Sequence, residues 1–93
     1  MDELEKRLTR NATVTNELGL HARPAAMIAE RALKARSNVW LINDDQRVDA
    51  TSIIDILSVA CLKGTEVRLQ IEDPADMPIL DDIIDLFEKG FGE

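Results

Sequence analysis

The most regular pattern in the chain runs from Thr65 to Glu72. There Val67, Leu69 and Ile71 alternate with Glu66, Arg68, Gln70 and Glu72. A period of two sends successive side chains to opposite sides of a strand, so one face is dry and the other wet. Such alternation predicts an antiparallel sheet covered on one side only. Leu8 to Thr15 reads as another strand, with Leu8, Ala12 and Val14 on one face and Thr9, Asn11, Thr13 and Thr15 on the other. Arg10 interrupts its apolar face and therefore belongs near a sheet edge. Asn38–Ile42 and Gln46–Asp49 read as two more strands, joined by the turn residues Asn43, Asp44 and Asp45. Val39 and Leu41 point toward the core, helped by Val48. Trp40 and Ile42 point the other way, toward water or a partner.

Between these strands the period changes. From Arg23 to Ala35 the apolar residues Ala25, Ile28, Ala29 and Ala32 fall on one helical stripe, with Glu30, Arg31, Lys34 and Arg36 on the wet side. Ser52 to Ala60 predicts a short helix, because Ser52 with Asp55 three residues later has the spacing of a capping box. Gly64 marks the turn that follows. Glu72 to Ala75 reads as a loop, and the last helix is expected to begin with Asp76 as N-cap rather than at Asp73. An earlier start would put Pro78 inside the helix, where its missing N–H and ring clash cost roughly 3 kcal/mol. Ile79, Leu80, Ile83, Ile84 and Phe87 then form its buried stripe. Asp81, Asp82, Asp85 and Glu88 face water, and Gly90 ends it. The order is β-α-β-β-α-β-α. The pattern predicts an α+β fold in which a four-stranded antiparallel sheet carries three helices on one face.

Ninety-three residues with 45% hydrophobic content suit one domain with a modest core. Residues 1–7 alternate in charge sign, and Asp2 with Lys6 and Glu3 with Arg7 are spaced for a short frayed helix. They read as a flexible N-terminal extension to a domain spanning 8–93. A net charge of −7 argues against a nucleic-acid surface, which needs clustered Lys and Arg. The single Cys61 has no internal disulfide partner and reads as a packing residue in a reducing cytoplasm. No apolar stretch approaches membrane-spanning length, and the start does not read as a signal peptide. The expectation is a soluble cytoplasmic monomer, or at most a weak dimer.

Chemistry concentrates at Gly19-Leu20-His21-Ala22-Arg23-Pro24, between the first strand and the first helix. Pro24 suits a first helical turn, where amide donors have no intrahelical partner. The free amides and the helix dipole there form an anion site, for phosphate above all. Ala22, Arg23 and Pro24 make up this helix start. The Arg23 guanidinium can grip two phosphate oxygens. The same positive field favours an uncharged imidazole at His21, leaving it available as a nucleophile. Gly19 permits the tight turn ahead of it. These parts fit a histidine that accepts a phosphoryl group. One His and one Cys cannot furnish a metal cage, and no cofactor motif is present.

The run Asn16-x-x-Gly19-Leu20-His21-Ala22-Arg23-Pro24-Ala25 resembles the active-site signature of the HPr family. These are the histidine phosphocarriers of the phosphoenolpyruvate-dependent phosphotransferase system. The similarity extends without a gap from about Leu8 to Glu93, through Ala50-x-Ser52-Ile53, Lys63-Gly64 and Gly90-Phe91. It implies an open-faced β-sandwich of the same β-α-β-β-α-β-α order. It implies that His21 carries phosphate on a ring nitrogen, received from Enzyme I and passed to a IIA-type protein in sugar uptake or in nitrogen or carbon regulation. Such a protein is a carrier turned over as a substrate, not an enzyme in the strict sense. Ser52 matches the serine that a dedicated HPr kinase/phosphorylase modifies in part of the family. A plain N-cap role accounts for Ser52 with no need of a kinase and is the favoured reading.

Departures from the family pattern shape the expected partner face. Family members in sugar uptake commonly present basic residues where this chain has Glu30, Leu33, Thr51 and Asp55. The apolar positions Leu20, Ile53, Ile54 and Leu57 are kept. The interface is therefore expected to rest on these four and on Arg23, and loss of rim charge chiefly slows association. Asp73 stands where a glycine is usual. The Asn43-Asp44 turn and the Gly90-Phe91 ending are similar to the nitrogen-regulatory branch. A second functional class stays open: a regulatory binding module whose phosphorylation at His21 or Ser52 signals to a kinase, transporter or transcription factor.

Overall fold

The first strand, β1 (Thr9–Thr13), lies at one edge of a four-stranded antiparallel sheet in a computed structural model that describes residues 2–93. The sheet order is β1-β4-β2-β3, with β2 at Val39–Asn43, β3 at Gln46–Asp49 and β4 at Glu66–Ile71. The sheet's inner face carries α2 (Ala22–Ala32), α3 (Ile53–Ser58) and α4 (Met77–Glu88). A short helix, α1 (Glu3–Arg7), precedes β1, capped by the Asp2 carboxylate accepting from the Glu5 amide at 2.9 Å. The expected Asp2–Lys6 and Glu3–Arg7 pairs are not among the ion pairs of the described residues, and Met1 lies outside them.

The alternation in β4 decides which way the sheet faces. Val67, Leu69 and Ile71 are fully buried, in register with Ala12 and Arg10 of β1 and with Leu41 and Val39 of β2. The α2 stripe Ala25, Ile28, Ala29 and Ala32 packs onto them, joined by Leu80, Ile83 and Phe87 from α4. Each fully buried Ile, Leu or Phe contributes about 1.5–3 kcal/mol, so this stripe is the main glue of the layers. Arg10 is on the same side as this core but at the edge strand, where it pairs with Asp81 of α4 at 2.7 Å. The acidic face of α4 is accordingly partly paired: Asp82 meets Arg31 at 3.1 Å and Asp85 meets Lys89 at 2.9 Å.

Three expectations need correction. Ile42 does not face water; it is 8% exposed. It sits in register between Arg47 and Arg68, its cross-strand neighbours on the outer face, and long side chains there can cover apolar surface with their stems. Trp40 beside it is half-buried, with the Arg47 guanidinium 4.3 Å from its ring and its indole N–H donated to Glu72 at 2.7 Å. The segment before α4 is not a plain loop but a 3-10 turn, Pro74–Asp76. The Asp73 carboxylate caps that turn by accepting from Ala75 N at 2.9 Å, and its φ of −110° needs no glycine. Asp76 does stand at the N-cap position of α4, yet its carboxylate caps nothing there. It is 2% exposed and accepts instead from the amides of Arg36 and Ser37, at 2.8 and 3.0 Å, just past α2.

Candidate functional site

The segment from Val14 to Leu20 is held by backbone bonds to the chain around Cys61 and Thr65. Val14 N donates to Thr65 O at 2.9 Å, Gly64 N to Val14 O at 2.7 Å, and Leu20 N to Cys61 O at 2.9 Å. Gly19, at φ +66°, lies so close to Cys61 that a Cβ there would sit 2.4 Å from the Cys61 carbonyl oxygen. Only glycine combines that φ with that approach. The turn throws Leu20 inward, where it is 4% exposed. Leu20 therefore offers no docking surface, and the expected apolar face loses it. Ile53, Ile54 and Leu57 remain exposed on α3, and Leu18 and Leu62 are exposed beside the Gly19–Cys61 contact.

His21 follows as the N-cap residue of α2, extended at φ −76° and ψ −171°. Its side chain makes no capping bond, and Ala25 N donates to its carbonyl at 3.0 Å. Pro24 has no N–H. The amides of Ala22 and Arg23 thus open the helix without a side-chain cap among the described residues, in the positive end of the dipole. Instead of capping, the imidazole Nε2 lies 2.9 Å from Oε2 of Glu93. The same oxygen accepts from Arg23 at 3.1 Å, and Arg23 also donates to Phe91 O at 3.3 Å. The other carboxylate oxygen, Oε1, accepts from the Asn16 amide at 2.9 Å, and Asn16 also donates to Gly19 O at 2.7 Å. Asn16 is 5% exposed, whereas Arg23 is more than half open.

These contacts hold the Glu93 carboxyl below its usual value. The Asn16 hydrogen bond is the largest cause; partial burial works against it, and the bonds from His21 and Arg23 add to the lowering. An ionised Glu93 can only accept, so the His21 Nε2 facing it carries the proton. In the uncharged ring, Nδ1 then holds the lone pair.

Sequence reasoning missed two of these residues. Asn16 belonged to the motif without a role, and Glu93 had none. Glu93 reaches His21 because Gly90, Phe91 and Gly92 all adopt positive φ (57°, 58° and 74°), turning the chain back after α4. Phe91, 1% exposed, anchors this return edge-to-face on Phe87 with centroids 4.9 Å apart. The visible signal was a Gly-Phe-Gly run directly after a helix. Ser52 stands at the N-cap of α3, its hydroxyl accepting from Asp55 N at 3.2 Å. No group of three or more metal-ligating side chains exists among the described residues, and no helix among them is long and apolar enough to cross a membrane.

An open-faced sandwich that sets a lone histidine and an arginine at an uncapped helix start defines the class of small phosphoryl carriers. The comparisons identify which one: a family model described as the PTS HPr component phosphorylation site matches residues 8–89, and the chain belongs to the HPr family of phosphotransferase-system phosphocarriers. It is 36% identical over 86 residues to the phosphocarrier protein HPr of Treponema pallidum, covering 92% of this chain and 98% of that protein. It is 35% identical over 81 residues to the phosphocarrier protein NPr of Klebsiella oxytoca, covering 86% of this chain and 90% of that one. The crystal structure of HPr-C-His from Thermoanaerobacter tengcongensis superposes with a TM-score of 0.86 at 35% identity, over 91% of this chain and 96% of that chain.

Proposed function

We propose that His21 is the phosphoryl acceptor, charged by Enzyme I and discharged to a IIA-type protein. The observation that carries this reading is the Nε2–Glu93 contact beside the uncapped start of α2. With Nε2–H donated to Glu93, the Nδ1 lone pair attacks the phosphorus of a donor phosphohistidine in line. The new Nδ1–P bond forms as the donor's N–P bond breaks, and that electron pair returns to the donor ring. No proton has to move. His21 keeps Nε2–H and becomes a phosphoimidazolium, whose positive charge the Glu93 carboxylate balances. Arg23, exposed enough to leave Glu93, and the Ala22 and Arg23 amides stabilise the equatorial oxygens. Discharge to the acceptor reverses the same steps, so the protein is a turned-over carrier rather than an enzyme.

The partner face in this reading is Ile53, Ile54 and Leu57 with Arg23. Leu18 and Leu62 extend it, and an apolar core without a basic rim fits association at moderate rates. That exposed patch also favours a second reading, in which the face docks a regulatory partner and the phosphate on His21 is only a signal. Modification of Ser52 by an HPr kinase/phosphorylase belongs to that second reading; the hydroxyl's capping bond to Asp55 N supports the plain structural role. The site of action is the cytoplasm, where phosphoenolpyruvate and Enzyme I are.

Incubation with phosphoenolpyruvate and Enzyme I tests the proposal. Acid-labile, base-stable label is expected on the wild type and not on His21→Ala, and it should chase onto an added IIA-type protein. Label on both proteins, or on neither with active Enzyme I, contradicts it. Label that stays on His21 with every acceptor offered favours the signalling reading. Serine labelling by a cognate kinase that is lost in Ser52→Ala tests the remaining point.

A further inference from the structure

Asn16 is the one buried side chain in the loop that reaches toward the site, and its hydrogen bonding is lopsided. Both bonds it makes are donations from Nδ2, to Gly19 O at 2.7 Å and to Glu93 Oε1 at 2.9 Å. Its carbonyl oxygen Oδ1 is buried with no partner among the described residues. Turning the amide over would set Oδ1 against a carbonyl and a carboxylate, both acceptors, so the orientation is dictated by its neighbours. A buried oxygen without a protein partner is uncommon in a native fold, so the placement of this amide is set by its two donations. They bridge the turn that places His21 and the carboxylate that orients its ring.

We infer that Asn16 is a positioning residue for His21 that acts through Glu93. Its carboxamide fixes the carboxylate so that Oε2 is presented to Nε2–H, which keeps the proton on Nε2 and the lone pair on Nδ1. The inference rests on His21 being the phosphoryl acceptor, as proposed above. The charged groups in contact with this cluster are Arg23 and Glu93. Glu17 and Lys63, on the neighbouring loops, are engaged with each other. The lowered Glu93 carboxyl, for which the Asn16 bond is the foremost cause, agrees with this arrangement. Arg23 alone cannot substitute, because it shares Oε2 with the imidazole and leaves Oε1 to Asn16.

The test reads ring tautomer rather than activity. The 15N shifts of the His21 ring nitrogens, recorded on the unphosphorylated protein above the imidazole titration, give the ratio of Nε2–H to Nδ1–H forms. Glu93→Gln is expected to lower that ratio by about threefold to tenfold, the excess of a charge-assisted hydrogen bond over the neutral one that a Gln oxygen can still accept. Asn16→Ala is expected to lower it by a similar factor in the wild-type background and to change nothing further in the Glu93→Gln background. An equal drop in both backgrounds, or none in either, overturns the inference. If Asn16→Ala does not fold, Glu93→Gln still decides. The ratio and the Asn16 side-chain amide resonances should shift together, and an unchanged ratio overturns the inference. Because no phosphoryl donor is present, a failure here is distinct from a failure of Enzyme I to label His21.

Discussion

Replacing Gly19 by alanine tests how the site is built more sharply than removing a site residue. At φ +66° a non-glycine residue costs about 1–2 kcal/mol in the left-handed region. The added Cβ would sit 2.4 Å from the Cys61 oxygen and 3.0 Å from Leu62 Cα, both backbone atoms that no rotamer can move. Relief needs the Cys61–Leu62 peptide to shift by about 1 Å, which stretches the 2.9 Å bond from Leu20 N to Cys61 O. A weakened buried bond of that kind costs about 1–3 kcal/mol. The alanine's smaller unfolded-state entropy returns about 0.4–1 kcal/mol. The net loss is about 1–4.6 kcal/mol, a large share of the 5–15 kcal/mol typical of such domains. Gly64→Ala is the control, since its φ is +92° but its Cβ would meet nothing within 4 Å. It should lose only the conformational strain less the same entropy return, about 0–1.6 kcal/mol. Urea unfolding of the three proteins measures both. Equal losses at the two positions, or a Gly19→Ala loss under about 0.5 kcal/mol, would refute the close-approach argument.

Asp76→Ala should cost about 1.5–3 kcal/mol in urea unfolding, because the amides of Arg36 and Ser37 lose a buried charged acceptor, and Asp76→Asn should cost less. Arg23→Ala should leave the unfolding midpoint unchanged but slow phosphoryl uptake from Enzyme I by about 10–100-fold in a quench-flow assay, since its exposed side chain contributes charge rather than packing. Glu93 titrates below its usual value of 4.5, so its contribution to holding the return segment is fully present above that value and is lost as pH falls through the depressed one. Amide exchange across Gly90–Glu93 from pH 6 downward should show protection lost in that acidic window and absent at all pH values in Glu93→Gln.

Local pattern carried most of the fold. The Val67-Leu69-Ile71 alternation placed β4 and declared a one-sided sheet, and the strand is Glu66–Ile71. Pro78 alone was enough to put the start of α4 after Asp76. The missed features share a tertiary cause. Asp76 turned away from its own helix because the segment after α2 offered two amides, of Arg36 and Ser37, that bond its carboxylate. Ile42 is buried on the outer face with Arg47 and Arg68 as its partners on both neighbouring strands, which strand periodicity does not register. Leu20 was drawn inward by the left-handed Gly19. At the candidate site, the Gly-Leu-His-Ala-Arg-Pro run marked the helix start. The Asn16–Glu93–His21 chain depends on three positive-φ residues and on Phe91 docking against Phe87, so it joins residues 77 positions apart.

The most direct measurement is the position of phosphorus on the ring. Protein with 15N-labelled histidine, charged by Enzyme I and phosphoenolpyruvate, should show 31P–15N coupling at Nδ1 of His21 while Nε2 keeps its proton. Coupling at Nε2, or phosphorus bound anywhere other than His21, would contradict the account.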